Sequence, residues 1–469
     1  MKAAEEELKC MEELDVWELT DLPPGKKAIT VKWVFKAKLN TEGQVDSYKA
    51  RLVARGFSQR YGQEYDQTFA PVVKHESVRA LLAIAAARGL HVRHLDVKCA
   101  YLNGKLEEEI YIEQPPGFEV KGQEHKVFRL HKSLYGLKQS ARAWNKMVTD
   151  TLSKLRFVQG NADQCLFSRP EKNGGRTYVL LYVDDILVVG ATSEMTKKVG
   201  RQLDKFFRTK DLGDVTNYLG IQIEREGDGS FLLHQQRKID LMLEQHGMLD
   251  CKPAATPMEV GSLSMNEESA AMEDNAQYRQ VVGSLLYIAT VSRPDITMAV
   301  GLLCRHVETP TLADWKSVKR VIRYLSGTKH VKLRLCSSTN LEPQCYVDAD
   351  WAGDKLDRKS TTGYVFKLGN CTISWASHKQ STVALSSTEA EYIAASHTCR
   401  ELLWLRQLLQ DLSMPADGPI VIFEDNQACI KLVNSNRCNA RTKHIDVCHH
   451  HVRDLRIQDI MRTIRPASS

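Results

Sequence analysis

At 469 residues, and with roughly 150 residues to a domain, the chain has room for about three domains, while 43% hydrophobic residues with only 27 Gly and 14 Pro exclude a disordered or collagen-like polymer. The net charge of +6 is too small to decide anything by itself. No apolar run approaches the ~18 residues of a membrane helix, since even V-L-L-Y-V-D-D-I-L-V-V carries two carboxylates, so a membrane protein is excluded. The first ten residues, M-K-A-A-E-E-E-L-K-C, are acidic where an export or mitochondrial signal is basic, which predicts an intracellular chain. Twelve cysteines spread from Cys10 to Cys448 without a C-x-x-C pair read as reduced packing residues rather than staples or zinc ligands.

In chain order, residues 5 to 15 put Leu8, Met11 and Leu14 on one side of an acidic helix that stops before the turn L-P-P-G-K-K. V-K-W-V-F-K-A-K-L, then N-T-E-G, then Y-K-A-R-L-V-A-R-G-F predicts a basic β-hairpin. From Lys26 to Arg60 there are nine Lys or Arg against Glu42 and Asp46. That patch is either a solvated lysine face or a surface for phosphates, where each neutralised phosphate releases counterions. A helix at 77 to 89, the strand H-V-R-H-L-D-V, a helix opening at L-Y-G-L-K-Q-S-A-R-A-W and a strand-turn-strand at 178 to 190 follow. A linker rich in Pro, Ser and acids begins at K-P-A-A-T-P-M-E-V-G-S. Residues 276 to 335 read as helical and partly basic, and 341 to 455 as strands with a long Leu-rich helix. No internal repeat stands out.

The sharpest chemical signal is Tyr182-Val183-Asp184-Asp185, two adjacent carboxylates between apolar runs. A solvated hairpin tip is the plain alternative, but tight hairpins favour Asn-Gly or Asp-Gly and this turn has no glycine. Carboxylates on stiff strands suit Mg²⁺, a hard ion. A third, Asp96 in H-L-D-V-K-C-A-Y-L-N-G, would complete a two-metal site for phosphoryl transfer.

The ordered series W-V-F-K-A-K, Y-K-A-R-L-V-A-R-G-F, L-D-V-K-C-A-Y-L-N-G, E-Q-P-P-G-F, L-Y-G-L-K-Q-S, Y-V-D-D, Y-L-G-I-Q-I, D-A-D-W-A-G-D, S-S-T-E-A-E-Y and K-H-I-D resembles the reverse transcriptase and ribonuclease H region of copia-type retrotransposon Pol polyproteins. It runs from about Glu13 to about Asp454. The resemblance implies an α+β fold: polymerase fingers and palm, a helical connection, then a ribonuclease H-like α/β domain. The limits are 1–27 for an acidic helix and turn, 28–250 for fingers and palm, 251–275 for the linker, 276–340 for the connection, 341–455 for the ribonuclease H-like domain and 456–469 for an atypical tail.

Residue by residue, it implies Asp96, Asp184 and Asp185 as polymerase carboxylates, with the Val97 carbonyl as an extra metal ligand. Tyr101 matches the aromatic gate against a 2′-hydroxyl, Lys36, Lys38, Lys49 and Arg51 are candidates for the triphosphate, and Tyr135 and Gly136 fall in the nucleotide pocket. Tyr218 to Ile223 matches a strand supporting the primer end. The family usually has Pro at Ala141 and Phe at Tyr101. In the second half, Asp348, Glu389 and Asp425 are solvated acids if taken singly, and resemble the ribonuclease H set taken together, leaving Asp350, Asp354 and Glu391 as bystanders.

The cofactor implied is Mg²⁺, two ions per site, with Mn²⁺ as the alternative. The partners implied are an RNA template, a DNA primer, an RNA–DNA hybrid and deoxynucleoside triphosphates, in a cytoplasmic virus-like particle or the nucleus. C-H-H-H at 448 to 451 sits on a helix, where consecutive side chains diverge and cannot close on one ion. Family members continue to an A-D-x-x-T-K segment bearing a fourth metal ligand, whereas 15 residues follow Asp454 here. The expectation is therefore a sheet short of one strand, with Asp459 in R-I-Q-D-I-M-R-T-I as the remaining fourth-ligand candidate and ribonuclease H activity weak or absent. The chain would be a polyprotein fragment or a standalone copy. The rival reading is a decayed or co-opted copy that binds nucleic acid without catalysis.

Overall fold

A computed structural model describes residues 1–39, 45–172, 174–259, 269–416, 418–435 and 446–465. Helices and sheets are mixed along the whole chain, giving an α+β protein. Among the described residues no helix is long and apolar enough to cross a membrane. Packing divides the chain into two compact units, Met1–Val73 with Val92–Asp214, and Lys74–His91 with Val215–Ser469. These limits differ from those read off composition, because composition marks linkers whereas packing marks cores.

The first unit is built on a six-stranded sheet ordered Thr209–Asp214, His91–Val97, Asp185–Gly190, Arg176–Tyr182, Leu166–Pro170, Val158–Gln159. Its middle strands are buried along nearly their whole length, which is why they read as continuous apolar runs. Leu95, Val97, Val179, Leu181, Ile186 and Val188 meet Trp144 and Val148 of the Ser140–Lys154 helix in one core. At about 1.5–3 kcal/mol for each fully buried large apolar side chain, this core makes the central strands a rigid base. The basic hairpin pairs Val31–Leu39 with Val45–Ala54. Its base packs with Met11 of the Lys2–Glu13 helix and with Ile110, Ile112 and Leu130 in a second core.

In the second unit the His75–Ala87 helix is held by one buried cation. Arg79 is 1% exposed. It donates to the carbonyls of Ile373 at 2.6 Å and of Thr290 and Val291 at 2.9 Å each, and stacks over Trp375. Burial lowers the guanidinium to about 10, against the pull of Glu76. Helices Gln236–Gln245, Ala276–Val291, Thr297–Cys304 and Leu312–Gly327 share one apolar core.

A five-stranded sheet follows, ordered Cys371–Lys379, Thr361–Leu368, Pro343–Asp350, Ile420–Phe423, Met461–Ile464. The expected loss of a strand is thus corrected. Met461 to Ile464 pairs in parallel with Ile420 to Phe423 and completes the sheet. The tail that looked like a remnant of a later segment is the strand itself, with Met461 and Thr463 buried on one face.

Candidate catalytic centres

In the first unit, Asp185 pairs with Tyr182 across a two-residue turn made of Val183 and Asp184. Val183 has φ +52°, a left-handed conformation that a β-branched residue rarely takes. The strain, of order 1–3 kcal/mol, is held by two contacts. Trp144 Nε1 donates to the Val183 carbonyl at 2.6 Å, and the Val183 side chain packs on the core. The turn is fastened to the next strand where the Val97 amide donates to the Asp184 carbonyl at 2.8 Å. This sets Asp184 within reach of the charges of Asp185 and Asp96, without drawing oxygens of all three to within 4.8 Å of one another.

Burial pushes the Asp184 carboxyl up, helped by the charges of Asp185 and Asp96 and opposed by a backbone hydrogen bond and by Lys49. His94, two residues before Asp96 on the same strand, has its Nε2 3.0 Å from Asp185 Oδ1 and orients that carboxylate. The sequence reading missed His94; its signal was the i, i+2 spacing from Asp96 in H-L-D-V. A cavity of about 430 Å³ opens beside the turn, walled by Tyr101, Trp144, Val183 and the Thr68–Val72 segment.

The basic hairpin separates its candidates. Lys36 lies opposite Lys49 and Val34 opposite Arg51, so Lys36, Lys49 and Arg51 share one face. Lys38 is on the same strand, and its side chain lies outside the described residues. The charge of Lys49 reaches Asp184. Arg51 sits 5.1 Å over the Tyr135 ring, which meets the Tyr101 ring edge-on at 5.4 Å. Its Nε is buried with no hydrogen-bond partner among the described residues. Gly136 has φ +90°, and a side chain there would strike the Ala54 carbonyl. Only glycine lets this loop close onto the hairpin, where the Ala54 amide donates to the Tyr135 carbonyl at 2.8 Å. Tyr218 to Ile223 lies in the second unit.

The second centre follows from register. Tyr346 pairs with Phe423 in parallel, and Asp348 and Asp425 each lie two residues further on. Neighbouring strands about 4.8 Å apart therefore carry them side by side. Glu391 completes the group: ligand oxygens of Asp348, Glu391 and Asp425 lie within 4.8 Å of one another, the one such cluster among the described residues. Glu389, expected here, is corrected. Ser386 caps the Ser387–Asp411 helix by accepting from the Glu389 amide, and Glu389 Oε2 accepts from the Leu385 amide at 2.8 Å. At about 100° per residue, Glu389 and Glu391 project to nearly opposite sides.

Burial, then the charges of Glu424, Asp348 and Asp425, raise Glu391 to about 8. Glu424 is raised to about 7 by burial and by Asp425 and Asp348. Each has an Oε2 that is buried without a hydrogen-bond partner among the described residues. Asp350 is raised by burial and by Asp348, while Asp354 is engaged by Arg305 at 3.2 Å and by Lys379.

Asp459 does not join this group. It ends the Asp446–Ile457 helix in the left-handed conformation, φ +55°, with its amide on the Arg456 carbonyl and the Ile460 amide on the Leu455 carbonyl. It precedes Met461, the partner of Ile420, whereas Asp425 follows Ile420 by five residues. At about 3.3 Å per residue the two lie at opposite ends of the sheet, on the order of 20 Å apart. The backbone of 448 to 451 is helical, and the side chains of Cys448, His449 and His450 lie outside the described residues.

Residues 14–260 match the family model described as reverse transcriptase (RNA-dependent DNA polymerase). The chain belongs to the reverse transcriptase family. It is 40% identical over 473 aligned residues to the retrovirus-related Pol polyprotein from transposon TNT 1-94 of Nicotiana tabacum, covering 99% of this chain and 35% of that one. It is 39% identical to the corresponding polyprotein from transposon RE2 of Arabidopsis thaliana, covering 93% and 30%. Against the putative transposon Ty5-1 protein of Saccharomyces cerevisiae it is 34% identical, covering 66% of this chain and 100% of the other. This reverse transcriptase chain thus spans about a third of the length of the polyproteins it matches. A foamy viral protease-reverse transcriptase, solved in complex with RNA/DNA hybrid, aligns at TM-score 0.47 and 11% identity, covering 100% of this chain and 61% of that one, a likeness too low to carry an argument. Reverse transcriptases use divalent metal ions. Both centres offer the carboxylate oxygens such hard cations prefer, and the Glu391 Oε2, which has no hydrogen-bond partner among the described residues, fits a bound cation.

Proposed function

We propose that the chain is an RNA-directed DNA polymerase, extending a DNA primer on an RNA template with deoxynucleoside triphosphates. The observation that carries this reading is the strained Val183-Asp184 turn, fastened beside Asp96 and within reach of the Lys49 charge. Asp96, Asp184 and Asp185 would hold two Mg²⁺ ions, with Mn²⁺ as a substitute. Such ions stabilise the attacking and leaving oxygens of a phosphoryl transfer. The residues do the rest. His94 fixes the Asp185 carboxylate, Arg51 and Lys49 take the triphosphate charge, and the Tyr101 ring, braced by Tyr135, fills the space a 2′-hydroxyl needs. Mg²⁺-dependent extension of a primer on an RNA template by the purified chain, lost in Asp184→Asn, tests the reading. A chain that bound template and primer but added no nucleotide would instead be a decayed copy.

A second activity is supported by a separate observation, the convergence of Asp348, Glu391 and Asp425. We infer that this centre hydrolyses the RNA strand of an RNA–DNA hybrid, with Glu391 in the role expected of Glu389. The completed sheet removes one of the two reasons for expecting that activity to be weak; the other, a missing fourth ligand, stands, because Asp459 does not join the group. Cleavage of a labelled hybrid, abolished by Asp348→Asn, is the test.

A further inference from the structure

Cys10 lies near the end of the first helix and Cys99 directly after the strand that bears Asp96, 89 positions away in sequence, yet their sulfurs are 2.9 Å apart. Both are partly exposed, whereas Cys165, Cys345, Cys371, Cys399 and Cys429 are buried. A small oxidant therefore has access to this pair and not to those five. Closing from 2.9 Å to the about 2.05 Å of a disulfide takes a shift of under an ångström.

We propose that Cys10 and Cys99 are a modification site, a dithiol that a peroxide-class oxidant closes to a reversible disulfide. Two thiols and one peroxide give one disulfide and two waters. The Cys10 thiolate attacks a peroxide oxygen, breaking the O–O bond to leave a sulfenic acid and release the first water. The Cys99 sulfur then attacks that sulfur, forming the S–S bond and expelling the second water. The two electrons come from the thiols and reduce the peroxide. Disulfides inside cells are chiefly transient and redox-sensing, which fits a pair left open at rest.

The bond would tie the first helix to a turn with consequences. Cys99 has φ +55° and caps the Ala100–Asn103 turn that carries Tyr101. Asn103 Nδ2 donates to the Cys99 carbonyl at 3.0 Å and Ser133 Oγ to the Tyr101 carbonyl, so the turn moves as a unit. Oxidation is therefore expected to slow nucleotide incorporation several-fold.

The test treats the full chain, fully reduced, with stoichiometric hydrogen peroxide. Thiol titration should fall by two of the twelve. Peptide mapping without reductant should find the Cys10 and Cys99 peptides joined, and dithiothreitol should part them. Cys10→Ser and Cys99→Ser should each prevent the link, and Cys10→Ser should keep reduced-state extension while resisting peroxide. The link is decided by mapping alone; only the extension readout rests on the polymerase reading. Recovery of Cys10 and Cys99 as separate sulfinic acids, or joined to other cysteines, would overturn the proposal. A linked chain that extends primers at the reduced rate would overturn its coupling to the turn.

Discussion

The two carboxylate centres are assembled by opposite means. Around Asp184 the chain takes a costly local conformation: Val183 is left-handed, and Trp144 and the Val97 amide hold it there. Around Glu391 the backbone is ordinary strand and helix, and register alone brings Asp348 and Asp425 together. The charge balance also differs. Lys49 offsets Asp184 and His94 engages Asp185, whereas Glu391 faces Glu424, Asp348 and Asp425 and is raised to about 8. A centre with a lysine beside it and a strained turn is set before ligands arrive. A centre of mutually repelling carboxylates needs a cation to bring all its members to charge together.

The largest effect expected is at Asp184. Asp184→Asn keeps the shape and removes a negative ligand, so extension should fall by more than the about hundredfold typical of a lost outer-shell partner. Hybrid cleavage should stay at the parental rate. A variant that still extends primers at that rate would break the comparison at its first member.

The second centre is sharpened by a pair of variants two residues apart. Glu391→Gln should abolish cleavage of a labelled RNA–DNA hybrid. Glu389→Ala should leave cleavage within about twofold while costing roughly 1 kcal/mol of stability through the weakened helix cap. Urea unfolding read beside the cleavage rate separates the two, and the reverse pattern would return the role to Glu389.

Sugar selection gives a smaller effect. Tyr101→Val opens space beside Tyr135, and the preference for deoxynucleotides over ribonucleotides should drop by about 10-fold or more, as for the loss of one pocket contact. The ratio of extension efficiencies with the two substrates measures it, and an unchanged ratio would remove Tyr101 from the pocket.

The pH dependence bears on stability rather than on either rate. A carboxyl raised to about 8 in the fold and ordinary when unfolded holds its proton longer in the folded state. Stability without divalent ions should therefore fall as pH rises from about 4.5 toward 8. Glu391→Gln should flatten that slope, and Mg²⁺ should oppose it by favouring the charged form. Thermal melts across this range check it; a slope unchanged in Glu391→Gln would assign the repulsion to other groups.

Much of the first centre was legible in the sequence, because two carboxylates between apolar strands have no packing reason to be there. Its strained turn was legible only as the missing glycine, and its support by Trp144 and His94 depends on contacts far apart in sequence. The second centre was legible as a set of acids but not in its phase. S-S-T-E-A-E-Y offers two glutamates, and which faces the sheet is set by the helix start at Ser386. The capping pattern of Ser386 with Glu389 three residues on was present in the sequence and would have released Glu389 to the cap. The tail was misread because M-R-T-I alternates over four residues only, too short for periodicity to declare a strand before its parallel partner is known. Nor does anything near His75 announce that its helix packs with residues two hundred positions on; that depends on Arg79 reaching Thr290 and Ile373.

On the proposed function, one chain carries two separate carboxylate centres for two reactions. This is tested most directly by following primer extension and hybrid-strand cleavage in the same Mg²⁺ reaction for the parent, Asp184→Asn and Asp348→Asn. Asp184→Asn should lose extension and keep cleavage, and Asp348→Asn should do the reverse. Loss of both activities in either variant while it stays folded, or retention of both, would contradict the proposed function.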